Sequence, residues 1–154
     1  MAKSEVVTQE DEGFDQEDIL EENLENLPEE QRLTGLWELQ WVSAKVKSGH
    51  SDNGPWTIIN ITLDPVHPAG EDAAEVAADY DLSDLPRVYH RMFYNKPGQK
   101  RQFVDLARNF GVAPGVLREM LEAARGQTAV AKLSQGKDNF GRPETKLSAF
   151  RAAA

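Results

Sequence analysis

The sequence predicts a mainly β fold, a small closed barrel of five strands with a helix between strands 3 and 4, preceded by an acidic arm. Three observations lead to this prediction. Five segments between residues 36 and 151 alternate apolar and polar side chains or are rich in β-branched and aromatic residues. Apolar residues at helical spacing lie between the third and fourth of these segments. Five strands of this length, within the 120 residues that follow residue 34, suit a closed barrel better than a flat sheet.

Charge is sorted along the chain rather than mixed. The formal net charge is -9, but residues 1–34 hold 12 acidic and 2 basic residues, whereas residues 86–154 hold 13 basic and 5 acidic ones. Segregation of this kind indicates a basic surface that binds a polyanion. We therefore divide the chain into an acidic arm, residues 1–34, and one folded domain, residues 35–154, whose length is near the commonest domain size.

The acidic arm has no apolar periodicity from Met1 to Glu12, so disorder is predicted there. Asp15 is placed to cap a short helix that ends near Pro28. The apolar residues on one side of that helix are Ile19, Leu20, Leu24 and Leu27. Three interpretations of the arm stay open: a docking peptide for a replication or recombination protein, a pseudo-substrate that occupies the basic groove until nucleic acid displaces it, and a segment that only raises solubility.

Several classes of function find no support in the composition or the motifs. Zero cysteines exclude disulfides and thiolate chemistry, and three scattered histidines argue against a structural zinc site. We find no Gly-rich phosphate loop, nucleophile elbow or metal-ligand spacing, so we predict no enzyme activity, no catalytic residues, no metal and no cofactor. No apolar run approaches the roughly 18 residues of a membrane span, and the first 30 residues are acidic where a secretion signal is basic and then apolar. A cytoplasmic protein without membrane contact is expected.

The domain begins with a long curved hairpin. From Leu36 to Lys47 apolar and polar residues alternate, but the apolar phase slips by one residue after Trp41. Such a slip predicts a β-bulge, and a bulged strand bends. Residues 48–55 have turn composition, and Trp56 to Leu63 is predicted as the second strand. Trp37 and Trp41 lie on the apolar phase, which places them in the core.

The remaining elements follow in order along the chain. Residues 64–86 are predicted as a loop with one helical turn around Ala73 to Ala78. Beyond them we predict a third strand from Arg87 to Tyr94. A helical stretch over residues 103–110 then stops at Gly111, and a second one opens at Pro114 and is closed by Gly126. Two last strands, Thr128 to Gln135 and Thr145 to Arg151, are predicted around the loop Gly136 to Glu144.

This order of elements resembles the OB-fold, a partly open five-stranded Greek-key barrel. From Gly126, the stretch GQTAVAKLSQGKDNFGRPETKLSAF is similar to the last hairpin of the single-stranded DNA-binding proteins of bacteriophages and bacteria. The resemblance implies a protein that binds single-stranded DNA largely without sequence preference in phage or bacterial DNA replication or recombination. Related proteins often assemble, which leaves a homo-oligomer open. Because the acidic segment is N-terminal here, whereas bacterial relatives usually carry an acidic C-terminal tip, recruitment through such a tip is not carried over.

The third strand is the first candidate for a binding surface. Arg87, Tyr89, Arg91 and Phe93 share one face because successive side chains of a strand alternate. Guanidinium groups hold phosphates while flat rings stack on unpaired bases, each stack contributing about 1–3 kcal/mol. The alternative is that the two rings belong to the core and the arginines are merely solvated, although Val88 and Met92 on the opposite face are better core residues. His90 lies with them and is predicted as a buried imidazole.

Two loops and their flanking strands supply the other candidates. Lys45, Lys47 and Trp56 are expected on the outer face of the first hairpin, although a tryptophan also suits the end of a barrel. The loop from Gly136 presents a ring and two cations, and in the OB-fold such a loop commonly grips the ligand; the alternative is a packed hairpin tip. The predicted nucleic-acid-binding residues are Lys45, Lys47, Trp56, Arg87, Tyr89, Arg91, Phe93, Lys132, Lys137, Phe140, Arg142 and Lys146.

A prediction from another class competes with this one. A protein-interaction module that binds no nucleic acid would have the same fold and an acidic segment that docks partners. The two hypotheses differ in the surface they predict. The interaction module should have buried aromatic residues and dispersed basic residues, whereas the DNA-binding protein should expose both together.

Overall fold

The computed structural model describes residues 19–25 and 30–153. The chain divides into two units, residues 1–30 and residues 31–154. In the second unit Leu33 is buried and its carbonyl accepts a hydrogen bond from the side-chain amide of Gln135, at 2.7 Å. These contacts extend the folded domain a few residues ahead of the boundary that the charge pattern predicted at residue 35.

The domain is mainly β, as predicted, and is built on one five-stranded antiparallel sheet. The strands are β1 (Gly35–Ser51), β2 (Gly54–Pro68), β3 (Val88–Phe93), β4 (Thr128–Lys137) and β5 (Pro143–Ala152), in the spatial order β3-β2-β1-β4-β5. The helices are α1 (Ala73–Ala77), α2 (Pro97–Asn109) and α3 (Leu117–Ala124). The predicted helical insertion between strands 3 and 4 is therefore confirmed, as α2 followed by α3.

The sheet is open in the part of the chain that the structure describes, because its two edge strands, β3 and β5, are not paired with each other. Side chains nevertheless bring these edges together: the rings of His90 and Phe150 lie 5.1 Å apart, and Phe150 lies 6.4 Å from Phe110. The register of β4 with β5 shifts between Ser148 and Arg151, and Phe150 lies within this irregular stretch, after Ala149 with its positive φ of 51°. Closure of the barrel by hydrogen bonds stays a prediction.

The bulge predicted in the first strand is confirmed. The register of β1 with β2 shifts between Trp41 and Ser43, and the inward positions change there from odd to even residues. A second shift lies between Glu38 and Leu39, where β2 contains Pro65. Proline donates no backbone hydrogen bond, so a bulge is one of the few places in a sheet that accepts it.

The core lies on the concave side of this bent hairpin, under the two longer helices. Trp37 and Trp41 are fully buried, as predicted, and each meets another ring edge-on: Tyr80 at 5.2 Å and Phe110 at 5.1 Å. From α2 and the residue after it, Phe103, Leu106, Ala107 and Phe110 are buried, which confirms the helical spacing read from the sequence.

Two predicted loops are shorter than expected, because strand pairing continues into them. The first hairpin pairs as far as Ser51 with Gly54, so its turn is Asp52 and Asn53 alone rather than residues 48–55. In the last hairpin Lys137 still pairs with Pro143, which leaves residues 138–142 as the loop and moves Lys137 to the end of a strand.

Likewise β2 runs on to Pro68, so the predicted loop from residue 64 begins only at residue 69. Its helical turn is present as α1. The loop is tied to the start of the domain by Gln31, whose side-chain amide donates to the carbonyls of Asp81 and Asp84 at 2.9 Å and accepts from the Asp81 amide at 2.7 Å.

The predictions for the acidic arm lie largely outside the described residues. This holds for the expected disorder of Met1 to Glu12 and for half of the helix expected between Asp15 and Pro28. The structure describes residues 19–25 of that helix; residues 19 and 20 are helical, but residues 21–25 are not, so the helix prediction is wrong there. Within the described part, Ile19, Leu20 and Leu24 are exposed. Among the helices that the structure describes, none combines the length and apolarity needed to cross a membrane.

Candidate nucleic-acid interface

Strand pairing assembles an outer face across β1, β2 and β3, on the side away from the core. Paired residues on neighbouring strands point to the same side of a sheet, and every second residue along a strand does so. The outward residues therefore form rows about 7 Å apart along the strands, at about 3.3 Å per residue. From the hairpin turn inward, the rows are Gly49–Trp56, Lys47–Ile58–Phe93, Lys45–Asn60–Arg91, Ser43–Thr62–Tyr89 and Gln40–Asp64. We call this surface the basic face.

The aromatic residues of β3 belong to this face and not to the core. Tyr89 is 64% exposed and Phe93 is 51% exposed, whereas Val88, which points to the inner side of the same strand, is 3% exposed. Met92 is half-buried and packs against the core cluster. The alternative in which both rings are core residues is therefore wrong, and the predicted assignment of Val88 and Met92 to the inner side is confirmed.

The cations of the basic face lie on two sides of β2. Lys45 and Lys47 come from β1 and Arg91 from β3, and all three are exposed. Among the described residues, no carboxylate lies within 4.0 Å of their charged groups. Asn60 on β2 stands between Lys45 and Arg91, so two positive charges flank one polar side chain in a single row. These charges are available to an anionic ligand.

Arg87 differs from these three cations. Its Nε donates to Asp64 Oδ1 at 2.7 Å, and a terminal nitrogen donates to Asp64 Oδ2 at 3.1 Å. The hydrogen bond to this carboxylate, and then its charge, raises the pKa of Arg87 above its ordinary value. Arg87 precedes β3 rather than lying within it. The sequence predicted a free phosphate ligand here, and the structure shows an arginine that is already paired.

Trp56 lies on the outer face, as predicted, and its position depends on a glycine. It pairs with Gly49 across the hairpin, and a Cβ built on Gly49 would overlap the indole, with ring atoms at 2.8 and 3.1 Å among its nearest neighbours. The indole therefore lies across the backbone of β1 beside Lys47. This is the arrangement in which an aromatic ring covers a glycine of the neighbouring strand.

Replacing Gly49 by alanine is expected to displace the Trp56 ring from this position, because the new methyl group and the indole cannot occupy the same space. We expect a shift of the Trp56 fluorescence and weaker binding of single-stranded DNA, by up to the roughly 1–3 kcal/mol of one base stack. Ser48→Ala, one residue away and on the other side of the strand, is the control. An unchanged spectrum in the Gly49→Ala variant would show that the ring is not seated on Gly49.

The other predicted lysines lie on a different part of the sheet. Lys132 and Lys146 are exposed on β4 and β5, on the far side of β1 from β2 and β3. Lys146 folds back over Gly136, where its Cε would lie 2.8 Å from an added Cβ. These lysines form a second group, which is not in the rows of the basic face.

The last hairpin presents an exposed ring on an ordered turn. One carboxylate oxygen of Asp138 accepts hydrogen bonds from the amides of Phe140 (2.8 Å) and Arg142 (2.9 Å). Phe140 is 84% exposed, and the Arg142 guanidinium lies 5.8 Å from its ring centre. The packed-tip alternative is therefore wrong. Because β4 runs antiparallel to β1 and passes Gly35, this tip lies beyond the opposite end of β1 from the first hairpin turn.

Sequence reasoning missed several residues of the basic face. Asn60, Thr62 and Ile58 are its central strip on β2, and Gly49 seats the indole. Alternation along β2 shows that they point away from the core, but it does not show which residues lie beside them. Only the pairing register of three strands places Asn60 between two cations.

His90 is half-buried on the inner side of β3 and has no part in the basic face. Burial lowers its pKa below the ordinary value of 6.5, so the imidazole is neutral at neutral pH. Within the described residues, no group of three or more histidine, aspartate or glutamate side chains is arranged to hold a metal ion.

No protein-family model matches the sequence, and no curated protein matches it either.

Proposed function

We propose that this protein binds single-stranded DNA largely without sequence preference, through an OB-fold barrel whose basic face holds the strand. The observation that carries the proposal is that aromatic rings and exposed cations alternate in successive rows: the half-buried Trp56, then Lys47 with the exposed Phe93, then Lys45 with Arg91, then the exposed Tyr89. A surface of this composition combines the two interactions that a single strand requires, charge for the phosphates and flat faces for the bases.

Binding begins with long-range attraction. Lys45, Lys47 and Arg91 attract the phosphate backbone, and counterions released from the nucleic acid supply most of the free energy of this step. The bases then stack on the exposed rings. Stacking needs a free base face, which a single strand provides and a duplex hides, so the rings select single strands over duplex. Every base has a flat face, and therefore the surface does not depend on sequence.

The exposed rings favour this function over a protein-interaction module. That alternative requires buried aromatic residues and dispersed basic residues. In the structure Tyr89 and Phe93 are exposed, and three cations without a carboxylate partner among the described residues share a face. Sequence-independent binding of single strands is needed wherever a duplex is opened. We accordingly place the protein in DNA replication or recombination of a phage or a bacterium, with the acidic arm as the candidate site for protein partners.

Tryptophan fluorescence tests the proposal directly. Trp37 and Trp41 are fully buried, so Trp56 is the tryptophan that a ligand on the basic face contacts. We expect an oligodeoxythymidine to quench the fluorescence and the same length of duplex to quench it much less. The quenching should disappear in the Trp56→Phe variant, which keeps a ring for stacking. Binding that is equally tight to duplex, or insensitive to salt, contradicts the proposal.

A further inference from the structure

The ion pair between Arg87 and Asp64 stands at one end of the basic face. Both side chains are about half exposed, at 49% and 41%, and two hydrogen bonds of 2.7 and 3.1 Å join them in the fork geometry that arginine also uses for phosphate. The Nε edge of the Arg87 guanidinium, one of the two edges that can bind a phosphate through paired hydrogen bonds, is therefore already occupied by a carboxylate.

The rows of the face show what this pair does to the charge. The row Lys47–Ile58–Phe93 carries one positive charge and the row Lys45–Asn60–Arg91 carries two. The row Ser43–Thr62–Tyr89 carries none, and at Asp64 the carboxylate cancels Arg87. The next paired residues along β1 and β2 include Glu38. Positive potential is thus confined to the half of the face that is nearer the hairpin turn.

We propose that Asp64 is a boundary residue, which withdraws Arg87 from the nucleic acid and ends the bound strand near Tyr89. The inference rests on the proposed function and deepens it, because it defines where on the face the strand stops. A phosphate at the Nε edge of Arg87 would have to displace Asp64 from both hydrogen bonds, and a phosphate at the remaining N–H groups would be repelled by that carboxylate. A phosphate at Lys45, Lys47 or Arg91 meets neither obstacle among the described residues.

A double-mutant cycle tests the boundary. The variants are Asp64→Asn, which keeps the shape of the side chain and removes its charge, Arg87→Gln, and the two together, each titrated with an oligodeoxythymidine at several salt concentrations. Asp64→Asn should free Arg87 to neutralise one more phosphate. We expect the log–log salt slope to steepen by about 0.7 and affinity to rise about two- to fivefold, the range of an exposed ion pair. Arg87→Gln alone should leave the slope unchanged, because Arg87 neutralises no phosphate in the wild type. Affinity should fall slightly, because the Asp64 carboxylate then lacks its partner.

The double variant separates this mechanism from a general loss of negative charge. If Asp64 acts through Arg87, the gain disappears in the double variant, and Asp105→Asn on α2, with the same change in net charge, gives no gain. A gain that persists in the double variant overturns the boundary, and so does a shallower salt slope for Arg87→Gln alone. The wild-type protein in the same titrations tests the proposed function separately, because salt-insensitive binding by the wild type contradicts that function. If the wild type binds with a steep salt slope and Asp64→Asn has the same slope and affinity as the wild type, only the boundary is contradicted.

Discussion

Replacing Lys45, Lys47 and Arg91 together by glutamine is expected to abolish most of the salt dependence of DNA binding. Each cation that neutralises a phosphate contributes about 0.7 to the slope of log affinity against log salt for a single strand, so the slope should fall by about 2. The same relation predicts that affinity falls about 30-fold at 200 mM salt and several hundredfold at 50 mM. Fluorescence anisotropy of a labelled oligodeoxythymidine over this range measures both quantities.

A matched control carries the same loss of charge on other elements. Arg101 and Arg108 are exposed on α2, and Arg118 is exposed on α3. Arg118 lines an apolar groove together with Val46, which lies on the inner side of β1, so it is away from the basic face. The variant with glutamine at these three positions has the same net charge as the first. We expect it to keep most of the wild-type slope. Equal losses in the two variants would mean that DNA binding follows total charge, and the basic face would lose its role.

Replacing Trp56 and Phe93 together by alanine is expected to weaken binding without altering the salt slope. The two rings lie in neighbouring rows at the hairpin end of the face, one on β2 and one on β3. Each stacked base contributes about 1–3 kcal/mol, so independent stacks would lose about 2–6 kcal/mol together. Anisotropy of a labelled oligonucleotide is the measurement, since this variant lacks the tryptophan that reports by fluorescence.

Two further variants make the stacking test specific. Phe93→Tyr keeps a flat ring and should bind nearly as wild type does. Leu82→Ala removes an exposed apolar side chain from the loop before β3 and should have no effect. If the ring variant changes the salt slope as much as the cation variant does, the rings act by holding the cations in place rather than by stacking. Loss of affinity in the Leu82→Ala variant would indicate that exposed apolar area in general drives binding.

The bent first hairpin shows how much the sequence reveals when a pattern has a local cause. A slip of one residue in the apolar phase of β1 has few explanations within a strand, and the bulge lies where the slip occurs, between Trp41 and Ser43. The outward position of Tyr89, Arg91 and Phe93 follows in the same way from alternation along one strand. Both inferences concern a single strand, and neither needs a partner.

Inferences about loop lengths and partners failed where the answer depends on a second strand. Turn composition over residues 48–55 does not show that pairing continues to Ser51, and the basic character of Arg87 does not show that Asp64 lies 2.7 Å away. Turn composition places Gly49 in the predicted turn, although it is the strand position over which the indole lies. In each case the deciding neighbour is separated along the chain by several to more than twenty residues.

By itself the sequence determined the mainly β class, the five strands in order, the helical insertion and the side of β1, β2 and β3 that faces solvent. These properties arise from the spacing of apolar residues along one segment, which the chain carries locally. The tertiary structure alone decided which outward residues share a row and which arginine is already paired. It also shows that, within the described residues, the two edge strands are not hydrogen-bonded to each other. Register is set by the packing of all strands on a common core, and a shift of one residue would move every side chain to the other face.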